Sequence, residues 1–175
     1  MEILKSKYED IDKIFELYQQ GTEHQKTVAI KHWKGFERSL IEKEISEERQ
    51  YKIVVDQTIV CVFAIDYNDP LIWGERDKDP SIYIHRIATN PDFRGQFFVK
   101  KIVEWAKNHA KAIRKKFIRM DTGSGNEKLN SYYERCGFKY LGVVTLGNSE
   151  SLPAHYKHGA SSLFEIQLKG DEINL

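Results

Sequence analysis

Apolar residues recur along this chain with two periods, and the switches between them mark out its elements. Ile11, Ile14, Phe15 and Tyr18 share one helical face behind Asp10, which reads as a helix cap. Phe36, Leu40, Ile41 and Ile45 form a second stripe and predict a helix over 34–48. Residues 2–6 read as an opening strand. Runs rich in Ile, Val and Phe at 51–56 and 58–66 read as a hairpin turning at Asp56-Gln57. From Asp66 to Pro80 the pattern breaks into turn residues, predicting a loop. Residues 81–89 read as a strand. The longest helix is expected over 96–115, with Phe98, Ile102, Trp105, Ala106, Ala110 and Ile113 along one face. A strand over 117–121 follows, then a helix over 126–136 that stops at Gly137, then strands at about 138–146 and 162–168. The order is β-α-α-β-β-β-α-β-α-β-β. The strand–helix–strand passage from 81 to 121 predicts a parallel pair with a right-handed crossover.

Composition narrows the class of protein. A chain of 175 residues suits one domain, 1–175, with a real core. Lys and Arg number 27 against 26 Asp and Glu, which lacks the basic bias of a nucleic-acid or membrane-surface binder. No apolar run approaches the roughly 20 residues that span a bilayer, and the N-terminal residues lack an apolar signal region. A cytoplasmic protein with two reduced core thiols, Cys61 and Cys136, is expected.

The stretch from Ile84 to Val99 carries the strongest chemical signal. It is an apolar strand, a short turn containing Pro91 and Arg94-Gly95, and then a helix. The first N–H groups of a helix have no partner within it, and with the helix dipole they suit a phosphate. A phosphorylated cofactor is therefore expected at this turn.

That segment resembles the strand, Arg-Gly turn and helix of the GCN5-related N-acetyltransferase (GNAT) superfamily. A second segment, Asn126 to Phe138, is similar to the late motif of that superfamily: an Asn opens a helix, Tyr133 follows two turns later, and Gly137-Phe138 closes it. The resemblance covers most of the chain and is strongest from about 82 to 140. It implies an α/β (α+β) fold with a central mixed, mostly antiparallel sheet of about seven strands flanked by about four helices. It implies an acetyltransferase using acetyl-CoA as acyl donor and a small-molecule or peptide amine as acceptor, with neither nucleic acid nor membrane as partner. The backbone of Ile87, Ala88 and Thr89 would pair with the pantetheine arm. The N–H groups from Gly95 through Gln96, Phe97, Phe98 and Val99 to Lys100 would face the pyrophosphate, with Arg94 adding charge. Asn126 would cap its helix and reach the donor. Tyr133 would be the acid that protonates the departing thiolate.

The match departs from the superfamily at two places. Phe97 stands where the phosphate loop ordinarily has its first Gly, and Val99 where its last small residue falls. These side chains favour a rival class, a non-catalytic module that binds CoA or another ligand or serves as an interaction subunit. The plain alternative for 94–99 is a helix start with Phe97 or Phe98 filling the groove. For Arg94 it is a surface ion pair, for Asn126 a cap alone, and for Tyr133 a core tyrosine.

The general base is not legible. His85, Asp66, Glu75 and Asp121 lie near strand ends without distinctive spacing. Acidic groups around Trp73 in the 66–80 loop suit a cationic amine or plain solvation. Tyr18 and Trp33 are candidates to line an acceptor pocket. His155 and His158 lack a third ligand in a clear pattern, so no metal is expected. A homodimer through the late strands stays open.

Overall fold

The structure is a computed structural model, and it describes residues 1–29, 32–145 and 159–170. Its elements run β1 (Glu2–Lys5), α1 (Ile11–Val28), α2 (Arg38–Ser46), β2 (Gln50–Val55), β3 (Thr58–Asp66), α3 (Pro70–Trp73), β4 (Ser81–Thr89), α4 (Phe98–Ala112), β5 (Phe117–Gly123), α5 (Glu127–Arg135), β6 (Lys139–Thr145) and β7 (Ala160–Gln167). The strands are ordered β1-β2-β3-β4-β5-β7-β6 in one sheet. The β4–β5 pair is parallel, as the crossover through α4 requires. The pairs β1–β2, β2–β3, β5–β7 and β6–β7 are antiparallel. This is the mixed, mostly antiparallel sheet expected from the sequence, with one additional short helix, α3. The expected His155–His158 loop lies outside the described residues.

The chain divides into two compact units. The first comprises Met1–Ile65 with His85–Phe98, and the second Asp66–Ile84 with Val99–Leu175.

In the first unit, Ile11, Ile14, Leu17 and Tyr18 of α1 pack with Ile41 and Ile45 of α2 and with Val62 and Ala88. The expected stripe is thus the buried one, with Phe15, Trp33 and Phe36 half-buried at its margin. Gly21 lets α1 pass the Trp33 ring, since a β-carbon there would lie 3.0 Å from it. The hairpin turns where expected. Asp56 and Gln57 have φ of 46° and 64°, the twist of a type I′ turn.

Asp10 does not act as the expected cap. Its carboxylate accepts from the Lys7 N–H at 2.7 Å and pairs with the Lys52 ammonium at 2.7 Å, leaving α1 without a side-chain cap. A nearly buried carboxylate gains more from an ammonium than from a helix N–H.

In the second unit, the segment expected as a loop over 66–80 contains α3 and a 3₁₀ turn over Gly74–Lys78. Pro70 at the first helical position supplies a preset φ. Ile72 and Trp73 are buried with Tyr83 and Leu163. The fixed point beneath this segment is Arg119 of β5, 1% exposed. Its guanidinium donates to Asp79 at 2.7 Å, to Glu165 at 2.8 Å and to the Arg76 carbonyl. Its plane also lies 4.9 Å from the Trp73 ring and 4.7 Å from the Phe117 ring. On α4, Ile102, Val103, Ala106 and Ala110 are buried. Ile113, expected on that face, falls beyond the helix end and is 38% exposed.

Candidate functional site

Strand β4 changes character midway. Its parallel ladder with β5 runs for four pairs, from Ser81–Phe117 to Ile84–Met120. Two residues further on, Arg86 has a φ of 50°, a left-handed conformation inside a strand. Burial alone would lower the pKa of Arg86, but Tyr18 and Glu44 together raise it. Its guanidinium donates to the buried Glu44 carboxylate and sits 5.3 Å from the Phe36 ring. The Tyr18 hydroxyl donates to Gln50 at 3.3 Å, and burial raises its pKa, against the lowering charge of Arg86. Tyr18 thus belongs to the core of the first unit, and Trp33 meets it edge-on at 5.7 Å.

Beyond Arg86 come Ile87, Ala88 and Thr89. Ala88 is 3% exposed in the core, while Ile87 and Thr89 are half-buried. The Thr89 hydroxyl donates to Cys61 Sγ at 3.6 Å. The Cys61 thiol is pushed up to about 12 by burial, which makes it an inert core thiol.

The turn after β4 is built on Asn90, whose N–H donates to the Val60 carbonyl at 2.8 Å and whose Oδ1 accepts from Asp92 N–H at 3.1 Å. Arg94 is extended, Gly95 has a φ of 83°, and Phe97 has a φ of 56°. The helix starts at Phe98, two residues later than the pattern predicted, because left-handed residues cannot continue a right-handed helix. Phe98 and Val99 turn inward at 3% and 8% exposure, and Phe97 stands 60% exposed. The inward ring is therefore Phe98. Phe97 keeps the left-handed backbone that a glycine would adopt freely.

Arg94 and Gln96 are exposed, as is Lys100. Among the described residues Arg94 has no carboxylate within ion-pair distance. It lines an open groove of about 600 Å³ with Glu16, Gln20, Glu23 and His24 of α1. The His24 pKa is lowered, first by burial and then by the Arg94 charge.

In the second unit, Asn126 caps α5: its Oδ1 accepts from the Leu129 N–H at 3.0 Å. Tyr133, on the inner face of α5, is 9% exposed and meets the Phe164 ring edge-on at 5.2 Å. Burial, then Tyr132, Cys136 and Asp121, push its phenol well above the ordinary range. Gly137, with φ of 104°, ends the element as expected. Trp73 is 4% exposed, packs inside this unit and already carries the Arg119 guanidinium on its ring. Glu75 pairs with Lys78 at the surface.

Asp69 was legible only as one acid among several in the 66–80 segment. Its carboxyl is pushed up to about 7, first by burial and then by Asp121. The two carboxylates lie within 4.8 Å of each other. The only sequence signal is its place just before Pro70 and the buried pair Ile72 and Trp73, which carry it out of water. A carboxyl titrating near neutrality can both take and hold a proton at working pH.

Residues 9–138 match the family model of the acetyltransferase (GNAT) family. The chain is 25% identical over 148 residues to the uncharacterized N-acetyltransferase YesJ of Bacillus subtilis (strain 168), covering 80% of this chain and 82% of that protein. Its fold is similar to an acetyltransferase of the GNAT family from Listeria monocytogenes 4b F2365, with a TM-score of 0.74 at 22% identity over 95% of this chain and 94% of that one. It is also similar to an acetyltransferase of the GNAT family from Streptococcus agalactiae 2603, with a TM-score of 0.75 at 17% identity over 96% and 95%.

Proposed function

Because this chain belongs to the acetyltransferase (GNAT) family, we propose that it transfers an acetyl group from acetyl-CoA to the amine of an acceptor by direct attack. The observation that carries this reading is the build of residues 84–98: a ladder that ends at Ile84, a left-handed kink at Arg86, a strand that continues to Thr89, and a turn that opens a helix at Phe98. A strand that continues past its ladder offers backbone groups to an amide-bearing arm. Ile87, Ala88 and Thr89 would orient pantetheine in this way. The N–H groups of Gly95 to Lys100 would hold the pyrophosphate. Between Arg94 and Lys101 the chain carries three cations and no acid, which fits a polyanion.

The acceptor nitrogen attacks the thioester carbonyl, the C–S bond breaks, and the nitrogen loses a proton as the amide forms. Asp69, whose carboxyl is pushed up to about 7, takes that proton in this reading. Tyr133 donates to the departing sulfur. Its raised pKa keeps the phenol protonated throughout the neutral range, so the donor is always loaded, and solvent restores the proton afterwards. Asn126 both caps α5 and stands at the donor.

The test is release of free thiol from acetyl-CoA with a panel of amines: amino acids, a peptide N-terminus, a polyamine, an aminoglycoside and a nucleoside. Thiol release matched by acetylated product supports the reading. Phe97 at the expected glycine favours a second one, a module that binds CoA or another ligand or serves as an interaction subunit. Tight acetyl-CoA binding with no thiol release from any amine would select that alternative.

A further inference from the structure

We infer that Glu44 is a positioning residue for the acyl donor, acting through Arg86, an inference that rests on the acetyl-CoA reading above. The pair fixes the left-handed kink that aims the backbone of Ile87, Ala88 and Thr89 at the pantetheine arm. Arg86 has a φ of 50° inside β4, a conformation in which the β-carbon of any residue but glycine crowds the backbone. One such residue in a strand re-aims the groups that follow it and ends regular pairing. The kink is held by the side chain. Its guanidinium donates to the Glu44 carboxylate and lies 5.3 Å from the Phe36 ring. Tyr18 of α1 and Glu44 of α2 both stabilise its charge. Glu44 is buried with Ile41 and Ile45 on α2, a place where an apolar side chain would serve the helix better. Nor does the pair serve stability best. Among the described residues, Glu44 Oε2 and Arg86 Nε have no hydrogen-bond partner, and buried polar atoms left so are costly. Two well-packed apolar side chains commonly replace a buried ion pair without loss. A left-handed residue held by an incompletely satisfied buried pair therefore keeps a local geometry in preference to stability.

The test separates the kink from the charges. Wild type is compared with Glu44→Leu and with two double variants, Glu44→Leu/Arg86→Ala and Glu44→Leu/Arg86→Gly. The double variants remove the same two charges and differ in how freely residue 86 adopts a left-handed backbone. Each protein is titrated calorimetrically with acetyl-CoA, acetyl-phosphopantetheine and adenosine 3′,5′-bisphosphate, the last lacking the pantetheine arm. Glu44→Leu and Glu44→Leu/Arg86→Ala should bind the two arm-bearing probes about tenfold more weakly, the worth of one or two backbone hydrogen bonds. Both should keep wild-type affinity for the bisphosphate. Glu44→Leu/Arg86→Gly should restore the lost affinity. Equal affinities of the two double variants for acetyl-phosphopantetheine would overturn the inference, and so would equal losses for all three probes, which would assign Glu44 to folding alone. Thermal unfolding shows which variants are folded. If a double variant is not, Glu44→Leu decides: an arm-selective loss supports the inference, and unchanged affinities overturn it. If the wild type binds no acetyl-CoA, the donor reading falls and this inference falls with it. If the wild type binds and the variants bind as well, only this inference falls.

Discussion

Asp69 gives the clearest effect of a single residue. An unfolded chain releases its carboxyl proton near the ordinary value of 3.8, whereas the folded chain keeps it to about 7. Between those values the folded state binds more protons, so stability falls as pH rises through that window and levels off above it. Asp69→Asn should flatten this slope in pH-dependent urea unfolding, and a slope that persists would assign the titration elsewhere. Arg119 is the opposite case, a buried charge with its partners in place. Arg119→Met strands Glu165, whose side chain is 16% exposed, and the partly exposed Asp79. It should cost about 3 kcal/mol or more in chemical denaturation. For Tyr133, Phe substitution keeps the aromatic packing on Phe164 and removes only the hydroxyl. Turnover should fall at least tenfold with acetyl-CoA affinity nearly unchanged, and unchanged turnover at saturating substrates would remove the phenol from the proposed chemistry.

Among elements, those with a strong period were legible and those held by distant partners were not. The stripes of α1 and α4 and the strand runs of β2, β3 and β4 announce themselves because one face of each is buried. Helix α3 did not, because its four residues are too few to show a period and its burial depends on Arg119, which lies nearly fifty residues further along. The left-handed residues Arg86 and Phe97 were also hidden, since neither side chain favours that conformation and only the surrounding packing imposes it. The motif around Arg94 located the candidate donor turn, but its detailed shape follows from Phe97 and could not be read. The hairpin offers a test of how much such strain costs. Gln57→Gly converts the turn to Asp-Gly, a preferred type I′ pair, and should raise stability by up to about 1 kcal/mol. Thermal unfolding with no gain would show that Gln57 is not strained in the turn.

At the scale of the whole molecule, the family is shown by a match over residues 9–138, while the residue roles proposed above await test. Net charge of +1 gives no general attraction for a polyanion, so on the proposed function donor affinity would come from the local cations and N–H groups of the 94–101 segment. No helix among the described residues is long and apolar enough to cross a membrane. The acceptor leaves no comparable mark: of the aromatic residues that the sequence offered for it, Tyr18 and Trp73 are buried in their own units and Trp33 is half-buried against the core of the first. Donor binding is therefore the step on which the account stands. Calorimetric titration of the whole chain with acetyl-CoA tests it most directly. Saturable one-site binding at micromolar concentration is the expected result, and no binding at millimolar acetyl-CoA would contradict the proposed use of acetyl-CoA.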